Sequence, residues 1–261
     1  MSTTLAVIGG GNMARAIIDG AVHGNILDGN QIAIADPDEQ SRMYFDSLGC
    51  ATFADASDLP EADCFLLAVK PQIFENVAPF IRGNVVYSIM AGVTIDSITK
   101  ATGHDKIVRI MPNLPCSVGQ GAAGIALSAH AVSEDAALAR QLFSQIGVAV
   151  EVSEDLMDAV TAVSGSGPAY VFMLAEAMID GGVRAGLDRS TATTLVKQTI
   201  TGAAALMNQD KRLPEELREA VTSKGGTTSA ALDAMNDRDV PESIASAVVA
   251  ARDRGRELGA P

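Results

Sequence analysis

Several residue types are scarce in this chain of 261 residues: it has no tryptophan, 4% aromatic residues, three cysteines and three histidines. The cysteines, Cys50, Cys64 and Cys116, are odd in number and widely spaced, which suits a reducing, cytoplasmic compartment and shows no metal-ligand spacing. Basic residues are also in the minority, 19 against 32 acidic ones. The formal net charge of -13 argues against a nucleic-acid partner or an anionic membrane.

No continuous apolar run reaches the roughly 18 residues that span a bilayer, so we expect no transmembrane helix. Met1 is followed directly by the apolar run at residues 5–8 without a basic region, so we expect no signal peptide either. Hydrophobic residues make up 48% and charged residues 20% of the chain, an ordinary globular mixture that excludes a disordered or collagen-like protein.

Apolar runs alternate with amphipathic stretches over residues 1–152, which predicts a mostly parallel sheet covered on both sides by helices. Residues 153–261 lose the strand pattern and become rich in Ala, Leu, Met, Glu and Lys, which predicts an all-α domain. The fold class is therefore a Rossmann-type, doubly wound α/β domain (1–152) followed by a helical dimerisation and substrate domain (153–261). The predicted strands are residues 5–9, 31–36, 63–69, 84–90, 106–111, 122–127 and 148–152, and the predicted helices are 13–23, 38–48, 132–146, 155–163, 168–185, 190–208, 214–223, 228–235 and 241–258.

A glycine-rich motif, G-x-G-x-x-[GA], follows the first predicted strand and opens a predicted helix. Gly9 permits a tight turn, Gly11 lets the backbone approach a pyrophosphate, and Ala14 lets the helix pack on the strand. The N–H groups at the helix start carry a partial positive charge suited to phosphate. The alternative is a glycine-rich strand-to-helix turn without a ligand.

Asp36 ends the second strand, where dinucleotide-binding folds place a carboxylate on the 2′-hydroxyl of the adenine ribose. A carboxylate there repels a 2′-phosphate and so favours NAD over NADP. The alternative is a helix cap, because Asp36 and Asp38 both precede a helix.

Further polar and small residues follow later strands at the edge where open α/β sheets bind ligands. Lys70 and Ala91 each come directly after an apolar run, and Asn113 lies between two prolines that would hold its amide for a nicotinamide. For Lys70, a solvated loop lysine is an equally good interpretation.

The helical half contains two segments that interrupt the helix pattern. Residues 164–170 are small and then open a helix with Pro168, which is also typical of a tight helix–helix turn. Residues 222–228 carry four hydroxyls, two glycines and Lys224, more than a capping turn needs, so we predict a carboxylate or phosphate site there.

The three histidines, His23, His104 and His130, lie outside these loops and are interpreted as surface residues. A hydroxy-acid dehydrogenase usually has a histidine or lysine as acid and base, and nothing here clearly supplies one. The hydride acceptor is therefore expected to need little acid catalysis, as with a basic C=N nitrogen.

With these segments in view, the chain resembles the pyrroline-5-carboxylate reductases. The matching motifs occur in the family's order at residues 8–13, 68–72, 111–113, 158–161, 164–170 and 223–228. The resemblance implies reduction of a cyclic imine carboxylate to L-proline by NADPH or NADH, the last step of proline biosynthesis. It also implies homodimers that can assemble further, with each active site where two domains and two subunits meet.

Carried over by position, the resemblance assigns the site residues. Catalytic and substrate residues would be Thr228 on the reacting nitrogen, Ser223 with the Gly226 and Thr227 backbone on the substrate carboxylate, and Lys224 and Glu154 nearby. Cofactor residues would be Ile8, Gly9, Gly11, Asn12 and Met13 at the pyrophosphate, Asp36 and Asp55 at the adenosine, and Val69, Lys70, Ala91 and Asn113 toward the nicotinamide.

The chain also departs from the family pattern. Many relatives have Pro where Lys224 stands, and Asp36 replaces residues that suit NADPH, so the cofactor preference stays open between NADH and NADPH. Two other functions remain alternatives: a 3-hydroxy-acid dehydrogenase, whose G-x-x-x-K-x-x-x-N helix is not found, and a non-catalytic NAD(P)-binding regulator, which would not need the 222–228 turn.

Overall fold

An eight-stranded sheet forms the N-terminal part of the protein in the computed structural model, which describes residues 3–259. The strands are β1 (Thr3–Ile8), β2 (Ile32–Ala35), β3 (Ala51–Phe53), β4 (Ala62–Leu67), β5 (Gly83–Ser88), β6 (Ile107–Met111), β7 (Gly121–Leu127) and β8 (Gly147–Glu151). Their order is β3-β2-β1-β4-β5-β6-β7-β8. Only the β6–β7 pair is antiparallel among the described strands, so the predicted mostly parallel sheet is confirmed.

The order of strands reverses beside β1, which pairs with β2 on one side and with β4 on the other. Val7 lies opposite Ile34 of β2 and Leu66 of β4. This is the switch point at which doubly wound sheets open a crevice at the carboxyl ends of their strands. The loop after β1 therefore leads directly into that crevice.

Five helices pack with the sheet. Successive side chains of a strand point to opposite faces of the sheet, so each face contributes to a different hydrophobic core. They are α1 (Asn12–His23), α2 (Glu39–Ser47), α3 (Phe74–Val77), α4 (Ile95–Thr102) and α5 (Ala137–Gln145). Leu5 and Val7 point into a core shared with Ile17 of α1 and Phe143 of α5. Ala6 and Ile8 of the same strand belong to the core on the opposite face. Burial on both faces explains why these strands are continuously apolar.

Three elements were not predicted from the sequence: β3, the single-turn helix α3 and α4. β3 is a three-residue strand at the sheet edge, too short and too exposed to show an apolar run. α4 did leave a signal, because Thr94 accepts from the Ser97 N–H at its start and Gly103 ends it in the left-handed region. The predicted helix 132–146 is shorter than expected, since a 3-10 turn occupies Ser133–Ala136 before α5 begins.

Helices make up the rest of the described chain. They are α6 (Met157–Val160), continued by a π-helical turn over Thr161–Gly165, then α7 (Gly167–Arg184), α8 (Arg189–Gln209), α9 (Pro214–Ala220), α10 (Thr227–Asn236) and α11 (Val240–Gly259). By length and composition alone, the continuous helical stretch Glu154–Arg184 is apolar enough to cross a membrane, with a mean hydropathy of 1.2. One such helix is weak evidence for a membrane span.

The chain divides into two compact units. The first contains the chain up to Ser166 together with the part from Ala250 onward, and the second is Gly167–Val249. The predicted boundary at residue 152 falls just after β8, whereas residues 153–166 pack with the sheet. The assignment of 1–152 and 153–261 as the functional domains stays a prediction.

The second unit has very little core of its own. Only Ala192, Val196 and Leu217 are buried in it, and α7 has no buried residue. Phe172 and Met173 of α7 are 52% and 64% exposed. Apolar helix faces of this kind are typical of an interface between subunits.

Candidate functional site

The glycine loop joins β1 to α1 in the conformation that its motif predicts. Gly9 has a φ of +101°, and a Cβ there would lie 2.5 Å from the Ala68 carbonyl oxygen of the strand-end loop after β4. Only glycine fits this close crossing. The Gly9 N–H donates to the Ala35 carbonyl at 2.8 Å, which fixes the turn against β2.

The start of α1 is open to a ligand. Gly11 is the N-cap and offers no side chain, so the N–H groups of the first turn have no side-chain acceptor. Nothing lies within 4 Å of the place where a Gly11 Cβ would be, and Gly11 and Asn12 are both exposed. Ile8 is buried and Met13 is half-buried, so their side chains pack against the protein and only their backbone can face a ligand. This is an arrangement that suits a pyrophosphate.

Asp36 lies beside the glycine loop and binds to it directly. Its Oδ2 accepts from the Gly10 N–H at 2.6 Å, and its Oδ1 accepts from the Asp38 N–H at 2.8 Å. The cap of α2 belongs to Asp38, whose carboxylate accepts from the N–H groups of Gln40 and Ser41, so the cap interpretation of Asp36 is wrong. The half-buried Asp36 faces a cleft of about 310 Å³ that Gly11, Asn12, Arg15, Asp38 and Ser41 also line.

The other predicted adenosine residue, Asp55, is exposed after β3. Its carboxylate accepts from the Ser57 N–H at 2.8 Å and caps a short 3-10 turn. This backbone hydrogen bond lowers the pKa of the Asp55 carboxyl from its ordinary value. Asp55 is thus ionised near the edge of the sheet, and its place at the adenosine stays a prediction.

Residues at the ends of β4 and β5 occupy the same edge of the sheet. Val69 is half-buried, while Lys70 and Ala91 are exposed. Pro71 starts a 3-10 turn directly after Lys70, so the lysine leaves the sheet at its carboxyl edge. No ion pair of Lys70 is found within residues 3–259, which leaves both the solvated and the cofactor-binding interpretation open.

The Asn113 amide, predicted to face a nicotinamide, is used within the chain, and its contact with the cofactor stays a prediction. The side-chain oxygen accepts from the Ala122 N–H at 2.9 Å, and Nδ2 donates to the Ser164 carbonyl at 3.0 Å. Asn113 is 9% exposed. It therefore fixes the loop after β6 against β7 and the π-helical turn.

Glu154, expected close to the substrate, is occupied by two partners of its own chain. Its Oε1 accepts from Arg109 Nη1 at 2.8 Å and from the Ile95 N–H at 3.0 Å. Arg109 lies on β6 and is 3% exposed, so the carboxylate compensates a buried charge. In this structure Glu154 is an ion-pair partner that joins β6 to the start of α4. Its Oε2 is buried without a hydrogen-bond partner within residues 3–259, and its place near the substrate stays a prediction.

The turn between α9 and α10 carries the predicted substrate residues. Gly226 is the N-cap of α10, and no side chain caps this helix, so none of the nearby hydroxyls is used for capping. A Cβ at Gly226 would lie 2.4 Å from Ser223 Oγ, and the Gly226 N–H donates to the Ser223 carbonyl at 3.0 Å. Ser223, Lys224 and Thr227 are exposed and Thr228 is half-buried.

One of the four hydroxyls in this segment has another use. Thr222 Oγ1 donates to the Arg218 carbonyl at 2.6 Å and so ends α9. Gly225 has a φ of +73°, which turns the chain between the two helices. The first turn of α10 thus offers free N–H groups beside the remaining hydroxyls, an arrangement that suits a carboxylate.

Comparison with known proteins decides the family. A model of pyrroline-5-carboxylate reductase dimerisation matches residues 154–258, and a model of coenzyme F420-dependent NADP oxidoreductases matches residues 4–92. A pyrroline-5-carboxylate reductase of Synechocystis is 39% identical over 99% of this chain and 99% of its own length. The chain belongs to the pyrroline-5-carboxylate reductase family.

Solved structures of the family agree with this assignment. The reductase of Coxiella burnetii superposes with a TM-score of 0.93 at 34% identity and covers 100% of both chains. A pyrroline carboxylate reductase of Plasmodium falciparum with NADP bound has a TM-score of 0.86 at 29% identity, covering 99% of this chain and 98% of that one. The predicted family and the predicted fold class are thereby confirmed.

Two charged residues near the site were missed in the sequence. Arg109 is hidden inside an apolar strand pattern, where one arginine does not change the strand prediction. Arg15 follows the glycine motif by one residue and is one helical turn beyond Gly11, which was a usable signal. The roles of both residues depend on contacts formed in the fold, with Glu154 for Arg109 and with Tyr44 for Arg15.

Proposed function

We propose that this chain reduces 1-pyrroline-5-carboxylate to L-proline with NADPH or NADH, the last step of proline biosynthesis. The observation that carries the proposal is the near full-length similarity to pyrroline-5-carboxylate reductases, which includes the nucleotide-binding part and the dimerisation part together. The chain is thus an NAD(P)H-dependent oxidoreductase. A hydroxy-acid dehydrogenase or a regulator would not share both parts with this family.

The first unit fits the cofactor. The open α1 start and the space above Gly11 suit a pyrophosphate, and Asp36 is close enough to the loop to reach the neighbouring ribose. Lys70 and Ala91 would lie toward the nicotinamide, at the carboxyl ends of β4 and β5. When bound, the reduced nicotinamide supplies the hydride that adds to C5 of the imine.

The second unit fits the substrate carboxylate. Ser223 Oγ and the Thr227 N–H lie together at the start of α10, and the partial positive charge of the helix end favours an anion there. The predicted role of the Gly226 N–H is corrected, because that N–H donates to the Ser223 carbonyl. Lys224 adds a full positive charge in the same turn. Holding the carboxylate at several points orients the ring for attack at C5, which contributes several kcal/mol to such reactions.

Thr228 is proposed to act on the ring nitrogen. It is the second residue of α10, and its hydroxyl is not used as a helix cap. The protonated imine is the better electrophile, so the substrate brings its own acid, and the hydroxyl has only to hold the nitrogen or pass on a proton from water. This matches the lack of a histidine in residues 151–261.

The chain forms a homodimer through its dimerisation region, which includes the exposed apolar faces of α7. This explains how a unit with three buried residues remains folded. We extend the proposal to a soluble enzyme of the cytoplasm, supported by three buried cysteines that form no disulfide, and to further assembly of dimers.

The test is a direct assay. Purified protein, the imine and NADPH or NADH are mixed, absorbance at 340 nm is followed, and L-proline is quantified against cofactor consumed. A one-to-one yield of proline supports the proposal. Cofactor binding without turnover would instead indicate a regulator, and turnover only with 3-hydroxy acids and oxidised cofactor would indicate the other dehydrogenase class.

A further inference from the structure

Arg15 is a charged side chain at the proposed cofactor cleft, and no carboxylate within residues 3–259 forms an ion pair with it. Its guanidinium carbon lies 4.8 Å from the centroid of the Tyr44 ring, a cation–π contact that fixes the side chain. The Arg15 Nε is buried and has no hydrogen-bond partner in the part of the chain that the structure describes. No ion pair within residues 3–259 includes Arg15. A buried donor without an acceptor is costly, and a bound ligand or water that reorders this side chain would satisfy it.

Tyr44, which holds Arg15, is itself fixed. Its hydroxyl donates to Asp19 Oδ1 at 2.5 Å, and burial together with this bond raises the pKa of Tyr44 to about 12. The phenol therefore stays protonated and in place at any physiological pH. Arg15 is thus held on a rigid support, as an anion-binding residue requires.

The acidic neighbours Asp36 and Asp38 form no ion pair with Arg15 within residues 3–259. Asp36 and Asp38 line the same cleft, but their oxygens accept from backbone N–H groups of Gly10, Asp38 itself, Gln40 and Ser41. The guanidinium is the cation that remains available in a cleft with two carboxylates. It can therefore bind an anion that enters there.

The position of Arg15 identifies that anion. Arg15 lies one turn into α1, and its guanidinium contacts Tyr44 of α2. It lines the same cleft as Asp36 and Asp38, which follow β2. In dinucleotide-binding folds the first-turn N–H groups bind the pyrophosphate, and the acidic residue after β2, here Asp36, binds the adenine ribose. We propose that Arg15 binds the 2′-phosphate of NADPH and sets the cofactor preference against Asp36.

This inference rests on the proposed function, because it names the cofactor specificity of the same site. Asp36 repels a 2′-phosphate and favours the free ribose hydroxyl of NADH, while Arg15 attracts the phosphate. The two opposite charges in one cleft make this chain a user of both cofactors. Planar guanidinium is well suited to phosphate because it offers paired donors.

The test measures binding without the imine, so it does not depend on catalysis. Calorimetric titrations with NADP+, NAD+, 2′,5′-ADP and 5′-ADP are compared for the wild type, Arg15→Gln and Arg15→Lys. Lys100→Gln is the matched control, since it removes one positive charge from an exposed site on α4, where Lys100 pairs with Asp96. The ratio of the NADP+ to the NAD+ dissociation constant is the readout, and it is internal to each sample.

We expect Arg15→Gln to weaken NADP+ and 2′,5′-ADP about 10- to 100-fold and NAD+ less than about 3-fold, the size of one charged hydrogen-bonded contact. Arg15→Lys keeps the charge and should retain most of the NADP+ affinity, and Lys100→Gln should leave the ratio unchanged. An equal loss of both nucleotides in Arg15→Gln, or no loss of either, overturns the inference. Failure of the wild type to bind any nucleotide would instead overturn the proposed function.

Discussion

Arg109 Nη1 donates to Glu154 Oε1 at 2.8 Å and thereby links the middle of the sheet to the first turn after β8. The arginine side chain is 4% exposed and the glutamate side chain 32%. The same oxygen accepts from the Ile95 N–H, so one carboxylate fixes β6 and the start of α4 together. Because Arg109 is a buried cation with one carboxylate partner, the stability of the folded sheet depends on Glu154.

Removing this carboxylate should destabilise the protein without changing substrate binding. Glu154→Ala leaves Arg109 buried and unpaired, and we expect a loss of about 2–3 kcal/mol in the free energy of unfolding, reduced from the fully buried case because Glu154 is partly exposed. Glu154→Gln keeps an acceptor and should lose less. Urea unfolding at fixed protein concentration measures both.

The control for this prediction is Lys100→Gln, which breaks an exposed pair with Asp96 and should cost less than about 0.5 kcal/mol. The KM of Glu154→Gln for the imine should stay within about 3-fold of the wild type. A large rise in KM with unaltered stability would restore Glu154 to the substrate site.

Asp36 should make the enzyme accept NADH at least comparably to NADPH. Repulsion between its carboxylate and a 2′-phosphate at this partly exposed site is worth about 1–2 kcal/mol. Asp36→Ser should therefore shift the ratio of kcat/KM toward NADPH by about 10-fold. Asp36→Asn, which keeps an acceptor for the Gly10 N–H, should shift it in the same direction. A wild-type preference for NADPH above about 100-fold would contradict this prediction.

The sequence predicts the glycine loop, the buried strands and the 222–228 turn, because in each case the residues required by the fold also form a local sequence pattern. The G-x-G-x-x-A motif needs Gly9 for its φ of +101° and Gly11 for open space, and both requirements are local. The strands were found because burial on both faces leaves a continuous apolar run, as in β4 and β5. The turn at 222–228 stood out because hydroxyls and glycines interrupt a helical pattern.

The surroundings of Asn113 and Glu154 could not be predicted, because they depend on partners that the fold brings from elsewhere in the chain. Asn113 appeared free to bind a ligand, but its amide is taken by Ala122 and Ser164. Glu154 is occupied by Arg109, 45 residues away. No periodicity or spacing encodes which side chain a folded loop will meet, so a side chain's availability for a ligand could not be predicted.

Dimerisation should be required for activity. Phe172 is 52% exposed on a helix that buries no residue within its own subunit, so Phe172→Glu should prevent association. Met43→Glu is the matched control, because Met43 is 66% exposed on α2 and lies outside residues 154–258, which the dimerisation model matches. Analytical ultracentrifugation combined with the 340 nm assay gives the result. A monomer that retains full activity on dilution would refute the prediction.

Thr228 should matter in the transition state through its hydroxyl. We expect Thr228→Ala to lower kcat/KM about 10- to 100-fold, the effect of one or two hydrogen bonds to the reacting nitrogen, and Thr228→Ser to restore much of it. Thr222→Ala is the control, because that hydroxyl is used by the Arg218 carbonyl of α9. If the two alanine variants lose activity equally, the hydroxyl of Thr228 has no special part in the reaction.

Lys224 should assist entry of the substrate carboxylate. The protein carries a net charge of -13 and the substrate is an anion, so the overall field opposes its approach. Lys224 is exposed in the turn just before Gly225 and the start of α10, where one positive charge offsets that field locally. Salt screens exposed charges over about 10 Å at 0.1 M ionic strength, so the assistance should fade as salt is added.

Two variants separate the charge of Lys224 from the backbone of its turn. Lys224→Pro introduces the residue that many relatives have, whereas Lys224→Gln removes the same charge without restricting φ. Both should raise the KM for the imine at low ionic strength, do so less at high salt, and leave kcat nearly unchanged, because the charge acts before the chemical step. Steady-state kinetics at several salt concentrations provide the measurement. If KM at low ionic strength is unaltered in both variants, Lys224 only points into water and the carboxylate is held by Ser223 and the backbone of the turn alone.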